Sequence, residues 1–130
     1  MDITVRFPGG LRVDAEADGR VIATDQSPDS GGEGSAPEPY TLFLASLATC
    51  AGIYVLRFCQ ARKLPTEGLA VRQRAEFHPE TDRLEAIHMD IAVPAGFPDK
   101  YREALVRTAE KCAVKRAVLD PPAFHIRTVG

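Results

Sequence analysis

The sequence predicts an α+β fold in which helices pack against antiparallel strands, and three observations lead to this class. Apolar and polar residues alternate in twos over the first 25 residues, as they do in half-buried strands. A run without any charged residue follows at 39–56, which suits a helix buried on all sides. Three more alternating segments and two short helices then complete a chain with no visible repeat or linker, so we expect a single domain over 1–130.

The N-terminal alternation predicts a three-stranded antiparallel meander. Ile3, Val5 and Phe7 fall on one face of the first strand. Asp18-Gly19 is a strong signal for a two-residue hairpin turn, and it predicts a third strand at 21–24.

A long loop and a long helix are expected next. The loop at 26–38 is rich in glycine, serine and proline, and loops of this length are more often functional than idle. Pro39 suits the first turn of a helix, which should run to about residue 63 before Leu64-Pro65 ends it. Its uncharged run approaches the length of a membrane span, but polar residues interrupt it and no basic flank precedes it, so a core helix is favoured.

The second half of the chain predicts two strands, two helices and a final strand. The strands are expected at 69–77 and 84–93, where apolar residues again take alternate positions. A helix begins near Pro98, and a short helical segment covers 112–119. The tail at 124–129 alternates once more and predicts a last strand.

Charge and targeting patterns narrow the classes of function. With 16 Lys and Arg spread among 18 Asp and Glu, the formal charge of −2 offers no basic stripe for a nucleic acid, so a small-molecule partner is favoured. The N-terminus lacks the pattern of a secretory signal, so we expect a cytoplasmic protein with reduced cysteines.

Cys50 is the most informative of the three cysteines, because it lies in the middle of the uncharged helix. Its position alone is that of a core cysteine, since free cysteine is among the most buried residue types. A reactive role would need a cation from another element, because apolar surroundings raise the pKa of a thiol. Cys59 lies nine residues further on, on the opposite side of the helix, and is expected to pack in the core.

Cys112 lies at the junction of two predicted helices. Free backbone N–H groups there, together with Lys111, Lys115 and Arg116, favour a thiolate at Cys112. Position and charge leave a structural and a reactive role equally open for this residue.

Other chemistries find little support in the sequence. His78, His88 and His125 lack the spacing that presents two ring nitrogens to one metal, so we expect no metal site and no cofactor. The glycine-rich segment 31–34 lacks the Lys-Ser/Thr pair of a phosphate-binding loop, and no serine-hydrolase motif is present.

Two segments carry a resemblance to a known family. Residues 39–50, which read Pro-Tyr-Thr-Leu-Phe-Leu-Ala-Ser-Leu-Ala-Thr-Cys, resemble the helix motif of the OsmC/Ohr family, the osmotically inducible and organic hydroperoxide resistance proteins. Lys111-Cys112-Ala113-Val114 is similar to the family's second motif, which is usually Cys-Pro-Val. The order of strands and helices agrees along nearly the whole chain.

The resemblance implies an OsmC-like fold, with a long buried central helix, in an intertwined homodimer with two sites at the subunit interface. It also implies a peroxidase in which Cys50 attacks an organic hydroperoxide, Cys112 forms a disulfide with the resulting sulfenic acid, and a dithiol reduces that disulfide. Apolar surroundings would favour alkyl or lipid hydroperoxides, and the residues expected to bind them are Tyr40, Phe43, Leu47 and Tyr54.

The chain also departs from the family pattern. Family peroxidases carry an activating arginine near the N-terminus, for which Arg12 is the best match and Arg20 the alternative. They also carry a glutamate ten residues before the attacking cysteine, where this chain has Tyr40, so Glu38 is the candidate for orienting the arginine. Ala113 replaces the usual proline.

Three functions are therefore open. The first is a cysteine-based organic hydroperoxide reductase that protects against oxidative stress. The second is a stress protein with inert thiols that binds an apolar ligand, which Tyr40 favours because the family's acid is missing. The third is a redox sensor in which a Cys50–Cys112 disulfide alters a partner interaction without rapid turnover.

Overall fold

Three strands at the N-terminus form the predicted antiparallel meander in the computed structural model, which describes all 130 residues. They are β1 (Ile3–Gly9), β2 (Arg12–Ala17) and β3 (Arg20–Ile22), paired in the order β1-β2-β3. Asp18 and Gly19 turn the chain between β2 and β3 with φ angles of 49° and 73°, the left-handed conformation that a two-residue hairpin turn of this type requires.

The loop that follows is organised around the buried carboxylate of Asp25. One oxygen of Asp25 accepts hydrogen bonds from Ser35 Oγ at 2.6 Å and Ser35 N at 3.0 Å, and the other accepts one from Gln26 N at 2.7 Å. A Cβ atom at Gly32 would lie 2.1 Å from the carbonyl oxygen of Gln26, so only glycine fits there. The loop is therefore closed on itself and belongs to the first of two compact units, residues 1–45 and 46–130.

The helix α1 (Pro39–Ala61) runs for 23 residues, close to the predicted length, and continues from the first unit into the second. Its buried residues lie on one face: Leu47, Ala51, Val55, Phe58 and Cys59. The expectation of burial on all sides is wrong for a single chain, because Thr49 and Ile53 on another face are exposed. By length and composition alone α1 could cross a membrane, but core helices of soluble proteins meet the same criteria.

The second unit combines a hairpin with two short helices. Strands β4 (Ala70–Phe77) and β5 (Leu84–Ala92) pair antiparallel, followed by α2 (Arg102–Ala109) and α3 (Ala113–Leu119). Its core consists of Val55, Phe58, Cys59, Phe97 and Leu105, with Val71 and Ile91 of the hairpin packed against them. This core places the middle of α1 in the second unit, where α3 also lies.

The predicted strand at 124–129 does not form. Residues 121–130 have no regular secondary structure, and the side chains of Phe124 and Ile126 are 82% and 94% exposed. Alternation alone does not make a strand, because each strand needs a neighbour whose backbone completes its hydrogen bonds. No such neighbour is present within the chain.

Candidate thiol site

Two of the three cysteines meet in the second unit. Cys50 lies on α1 and is partly exposed, whereas Cys112 caps the N-terminus of α3 and is 2% exposed. The Cys112 thiol donates to the carbonyl oxygen of Leu47 at 3.9 Å, and its side chain also lowers the pKa of Cys50. Neither cysteine is part of a disulfide, so the site holds two free thiols.

The first turn of α3 directs its backbone N–H groups at these sulfur atoms. The N–H groups of Ala113 and Val114 donate to Cys50, and that of Lys115 donates to Cys112 Sγ at 3.4 Å. The first N–H groups of a helix have no partner within the helix, so the two sulfurs serve as its cap.

The environment of Cys50 favours the thiolate. Burial alone would raise the pKa of Cys50, but the hydrogen bonds from Cys112, Val114 and Ala113 and the positive charge of Arg116 outweigh it. The pKa of Cys50 therefore lies below its ordinary value, and a thiolate with a lowered pKa is the form of cysteine that reacts as a nucleophile.

Cys112 has the opposite character, contrary to the expectation of a thiolate there. Burial raises the pKa of Cys112, and its hydrogen bond to Cys50 raises it further, because Cys112 must keep its proton to donate it. The N–H groups of Lys115 and Val114 offset these effects only in part. The N–H groups and the charge of Arg116 thus favour a thiolate at Cys50 rather than at Cys112.

The other predicted residues are distributed over both units. Leu47 is 4% exposed and lies beside Cys112, and Tyr54 lies one turn beyond Cys50 on α1. In the first unit, the rings of Tyr40 and Phe43 meet edge to face with centroids 5.5 Å apart. Cys59 belongs to the hydrophobic core, as predicted, and burial raises its pKa.

The charged residues expected to activate Cys50 have local partners within the first unit. Arg12 Nη2 donates to Asp14 Oδ2 at 3.1 Å, and Glu38 Oε1 accepts a hydrogen bond from Ser27 N at 3.0 Å. Arg20 is exposed on β3. The activating roles of Arg12 and Arg20, and the orienting role of Glu38, stay predictions.

Arg116 is predicted from its spacing to favour a thiolate at Cys112, and in the folded chain its charge helps to lower the pKa of Cys50. It lies on α3 three residues after Ala113, and it lines an open groove of about 530 Å³ together with Ala113, Ala117, Leu119 and Asp120. Its helical spacing from Cys112 was visible in the sequence, but its proximity to Cys50 depends on how α3 packs on α1. No cluster of three or more His, Cys, Asp or Glu side chains is arranged to hold a metal ion.

This arrangement can support thiol chemistry without further groups. A thiolate beside a neutral thiol can attack an electrophile and then accept attack from its neighbour, and Cys112 is the neighbour whose side chain lowers the pKa of Cys50. The core cysteine Cys59 belongs to a separate cluster of side chains.

Comparison with solved structures shows the same fold. One of these structures is a protein from Psychrobacter arcticus 273-4 with the provisional name osmotic stress induced and detoxification response protein. Its TM-score is 0.75 at 24% identity, over 88% of this chain and 85% of that chain. Another is a protein from Legionella pneumophila. Its name is organic hydroperoxide resistance protein OsmC, predicted redox protein, regulator of sulfide bond formation. Its TM-score is 0.58 at 23% identity, over 90% of this chain and 87% of that chain.

A third structure is from Vibrio cholerae. This protein, provisionally named an organic hydroperoxide resistance protein, has captopril bound in one of its active sites. Its TM-score is 0.57 at 21% identity, over 91% of this chain and 84% of that chain. A search of curated protein sequences finds no significant match.

The family comparison covers more than half of the chain. The model described as OsmC-like protein matches residues 32–127, a range that includes α1, both thiols of the site and the hairpin of the second unit. Since this match covers more than half of the chain, the chain belongs to the OsmC family.

Proposed function

We propose that the chain is a thiol peroxidase that reduces organic hydroperoxides through Cys50. The observation that carries this proposal is the pairing of a partly exposed Cys50, whose pKa is lowered by Cys112, with a buried Cys112, whose pKa is raised. A peroxidase with two cysteines needs this asymmetry, because one sulfur must attack as a thiolate while the other keeps its proton until the second step.

The proposed reaction has three steps. The Cys50 thiolate attacks one peroxide oxygen and breaks the O–O bond, which gives a sulfenic acid on Cys50 and an alkoxide that takes up a proton to become the alcohol. The Cys112 thiol then attacks the sulfenic sulfur, forming the Cys50–Cys112 disulfide and releasing water. A dithiol reductant exchanges with this disulfide, leaving two protein thiols and an oxidised dithiol.

The side chains around the thiols support an organic substrate. Leu47 is buried beside Cys112, and Tyr54 follows Cys50 by one turn of α1. Alkyl or lipid hydroperoxides gain from apolar contacts that hydrogen peroxide cannot make. The names of the Legionella and Vibrio proteins, which refer to organic hydroperoxide resistance, agree with this class.

A homodimer is part of the proposal. A folded monomer of 14.1 kDa exposes about 6,700 Å², whereas this chain exposes 9963 Å². The excess, about 3,300 Å² per chain, is larger than the roughly 1,000 to 2,500 Å² that each partner buries in an obligate dimer, so it leaves room for such an interface. The side chains that a second copy could cover are exposed and apolar: Ile3, Val5, Phe7, Ile53, Phe124 and Ile126.

The oligomer is tested by light scattering after size-exclusion chromatography. The wild-type chain is expected to elute as a dimer, and Ile53→Arg, on the exposed face of α1, should shift it toward monomer. Arg72→Ala on β4 removes a charge elsewhere and is expected to stay dimeric. A wild-type monomer at high concentration would contradict the dimer.

We further place the protein in the cytoplasm, where dithiol reductants keep its cysteines reduced.

The activity is tested by treating reduced protein with one equivalent of cumene hydroperoxide or hydrogen peroxide and mapping the disulfides by mass spectrometry. We expect a Cys50–Cys112 disulfide that forms faster with cumene hydroperoxide, is absent in Cys50→Ser, and leaves Cys59 free. In Cys112→Ser the sulfenic acid on Cys50 should persist long enough to be trapped by dimedone. A wild-type protein that stays reduced under these conditions would rule out the peroxidase.

A second candidate is a protein that binds an apolar ligand or senses oxidants without rapid turnover, and Tyr40 in place of the family's glutamate favours it. The rate separates the three functions. A peroxidase oxidises Cys50 within seconds at micromolar hydroperoxide, a sensor does so slowly, and a binding protein hardly at all.

A further inference from the structure

The sulfur of Cys112 connects the start of α3 to α1, and oxidation changes the bonds that this sulfur can make. We propose that a Cys50–Cys112 disulfide removes the N-cap of α3 and loosens this helix, an inference that rests on the disulfide of the proposed function. The oxidation state of the two thiols thereby controls the structure of residues 113–119.

Reduced Cys112 makes two hydrogen bonds through one sulfur atom. Its Sγ accepts a hydrogen bond from the backbone N–H of Lys115 at 3.4 Å, which caps α3. Its thiol donates to the carbonyl oxygen of Leu47 on α1 at 3.9 Å. The N–H of Lys115 lies in the first turn of α3 and has no acceptor within the helix, so the sulfur is its partner.

Forming the disulfide removes both hydrogen bonds. The thiol hydrogen of Cys112 leaves with the hydroxyl group of the Cys50 sulfenic acid as water, so Cys112 has nothing left to donate to Leu47. The new bond holds the two sulfurs about 2 Å apart, closer than unbonded sulfur atoms approach, so one of the two side chains must move. A Cys112 sulfur that turns from Lys115 toward Cys50 no longer caps α3.

Cys112 is the more movable of the two residues. Cys50 lies within the continuous helix α1, between the buried residues Leu47 and Ala51. Cys112 has non-helical backbone angles, φ −48° and ψ 122°, and precedes a helix that contains no buried residue. The side chains of residues 115–119 are all exposed. The core therefore holds α1 in place, and the movement falls on Cys112 and the first turn of α3.

The helix α3 depends on its cap more than a longer helix would. It has seven residues, and helices shorter than about 12 residues are marginal in water unless they pack against other elements. No acidic residue in its first turn stabilises the free N–H groups. The open groove of about 530 Å³ belongs wholly to α3 and its C-cap residue Asp120, so it should lose its shape when the helix loosens.

Hydrogen–deuterium exchange, read by mass spectrometry, tests this inference without any peroxide. Diamide, an azo compound, takes one hydrogen from each of two nearby thiols and leaves them joined as a disulfide. We expect the amides of residues 115–120 to exchange at least about fivefold faster in diamide-oxidised protein than in reduced protein, because a lost cap favours local opening. The amides of α2 should exchange equally in both states and serve as the internal reference.

Three variants separate the loss of the cap from other effects of the oxidant. Cys112→Ala leaves Lys115 N–H without its acceptor, so its α3 amides should exchange fast even when the protein is reduced. Cys112→Ser supplies a hydroxyl as cap but cannot form the disulfide, so exchange should be slow with and without diamide. Cys50→Ser keeps the capping sulfur and removes its disulfide partner, so diamide should not change its exchange.

The outcomes distinguish this inference from the proposed peroxidase. A Cys50–Cys112 disulfide with α3 amides that exchange as slowly as in the reduced protein would overturn the uncapping and leave the peroxidase intact. Equal exchange in reduced Cys112→Ala and Cys112→Ser would also overturn it, as would the failure of diamide to link the two cysteines. Fast exchange in diamide-oxidised protein whose reduced form does not react with hydroperoxide would support the uncapping and reject the peroxidase.

Discussion

Cys112 caps α3 by accepting a hydrogen bond from the backbone N–H of Lys115, and the same side chain lowers the pKa of Cys50, so one residue joins the helix to the candidate nucleophile. The pKa values of the two cysteines shift in opposite directions, because the protonated form of Cys112 stabilises the thiolate form of Cys50. The electrostatics of Cys50 therefore depend on α3, and changes in the first turn of that helix should be measurable at Cys50.

Replacing Ala113 with proline should weaken the Cys50 thiolate. Ala113 occupies the first position of α3, where proline is well tolerated, but proline lacks the N–H that donates to Cys50. A hydrogen bond to a charged group contributes about 1.5 kcal/mol, so we expect about tenfold slower alkylation of Cys50 at neutral pH. Ala113→Ser keeps the N–H and should react like the wild type. Equal rates in all three proteins would show that this N–H does not stabilise the thiolate.

The two thiols of the site should differ in reactivity with pH. The pKa of Cys50 is lowered, so its thiolate forms at lower pH than that of an ordinary thiol, whereas those of Cys112 and Cys59 form at higher pH. At pH 7 iodoacetamide should therefore label Cys50 first. In Cys50→Ser, Cys112 loses the neighbour whose charge and hydrogen bond raise its pKa, so its labelling should shift to lower pH. Faster labelling of Cys112 than of Cys50 in the wild type would reverse their roles.

The sequence predicted most of the elements because local signals define them. Strand alternation located β1 and β2, Asp18-Gly19 located the hairpin turn, and Pro39 located the start of α1. The tail at 124–129 carries the same kind of signal but forms no strand, since pairing depends on a neighbour that the pattern does not identify.

The site was harder to predict than the fold. The spacing of Cys50 and Cys112 does not show that they meet, and only the family resemblance brought them together in the sequence analysis. The spacing on α3 predicts that the charge of Arg116 acts on its neighbour Cys112, but in the folded chain this charge also lowers the pKa of Cys50. Long-range packing of this kind cannot be inferred from residue spacing within one helix.

The loop at 26–38 should open when the carboxylate of Asp25 is removed. The hydrogen bonds from Ser35 and Gln26 lower the pKa of Asp25. They therefore stabilise the closed loop at pH values above the ordinary carboxyl pKa, and this stabilisation is lost as the pH falls through the lowered pKa. We expect Asp25→Ala to increase cleavage after Glu33 by a glutamate-specific protease at neutral pH by at least about fivefold. Asp29→Ala, in the exposed part of the same loop, should cleave like the wild type. Unchanged cleavage of Asp25→Ala would mean that other contacts close the loop.

The stability of the second unit should depend on Leu105 much more than on its neighbour Val106. Leu105 is 1% exposed and packs with Val55, Phe58 and Phe97, whereas Val106 is 51% exposed on the same helix. Leu105→Ala would leave a cavity and should lower the free energy of unfolding by about 3 kcal/mol, while Val106→Ala should change it by less than about 0.5 kcal/mol. Urea denaturation at one fixed protein concentration measures both values, because dimerisation would make stability depend on concentration. A larger loss for Val106→Ala would show instead that this exposed face is buried in an assembly, and equal small losses would contradict the packing described for the core.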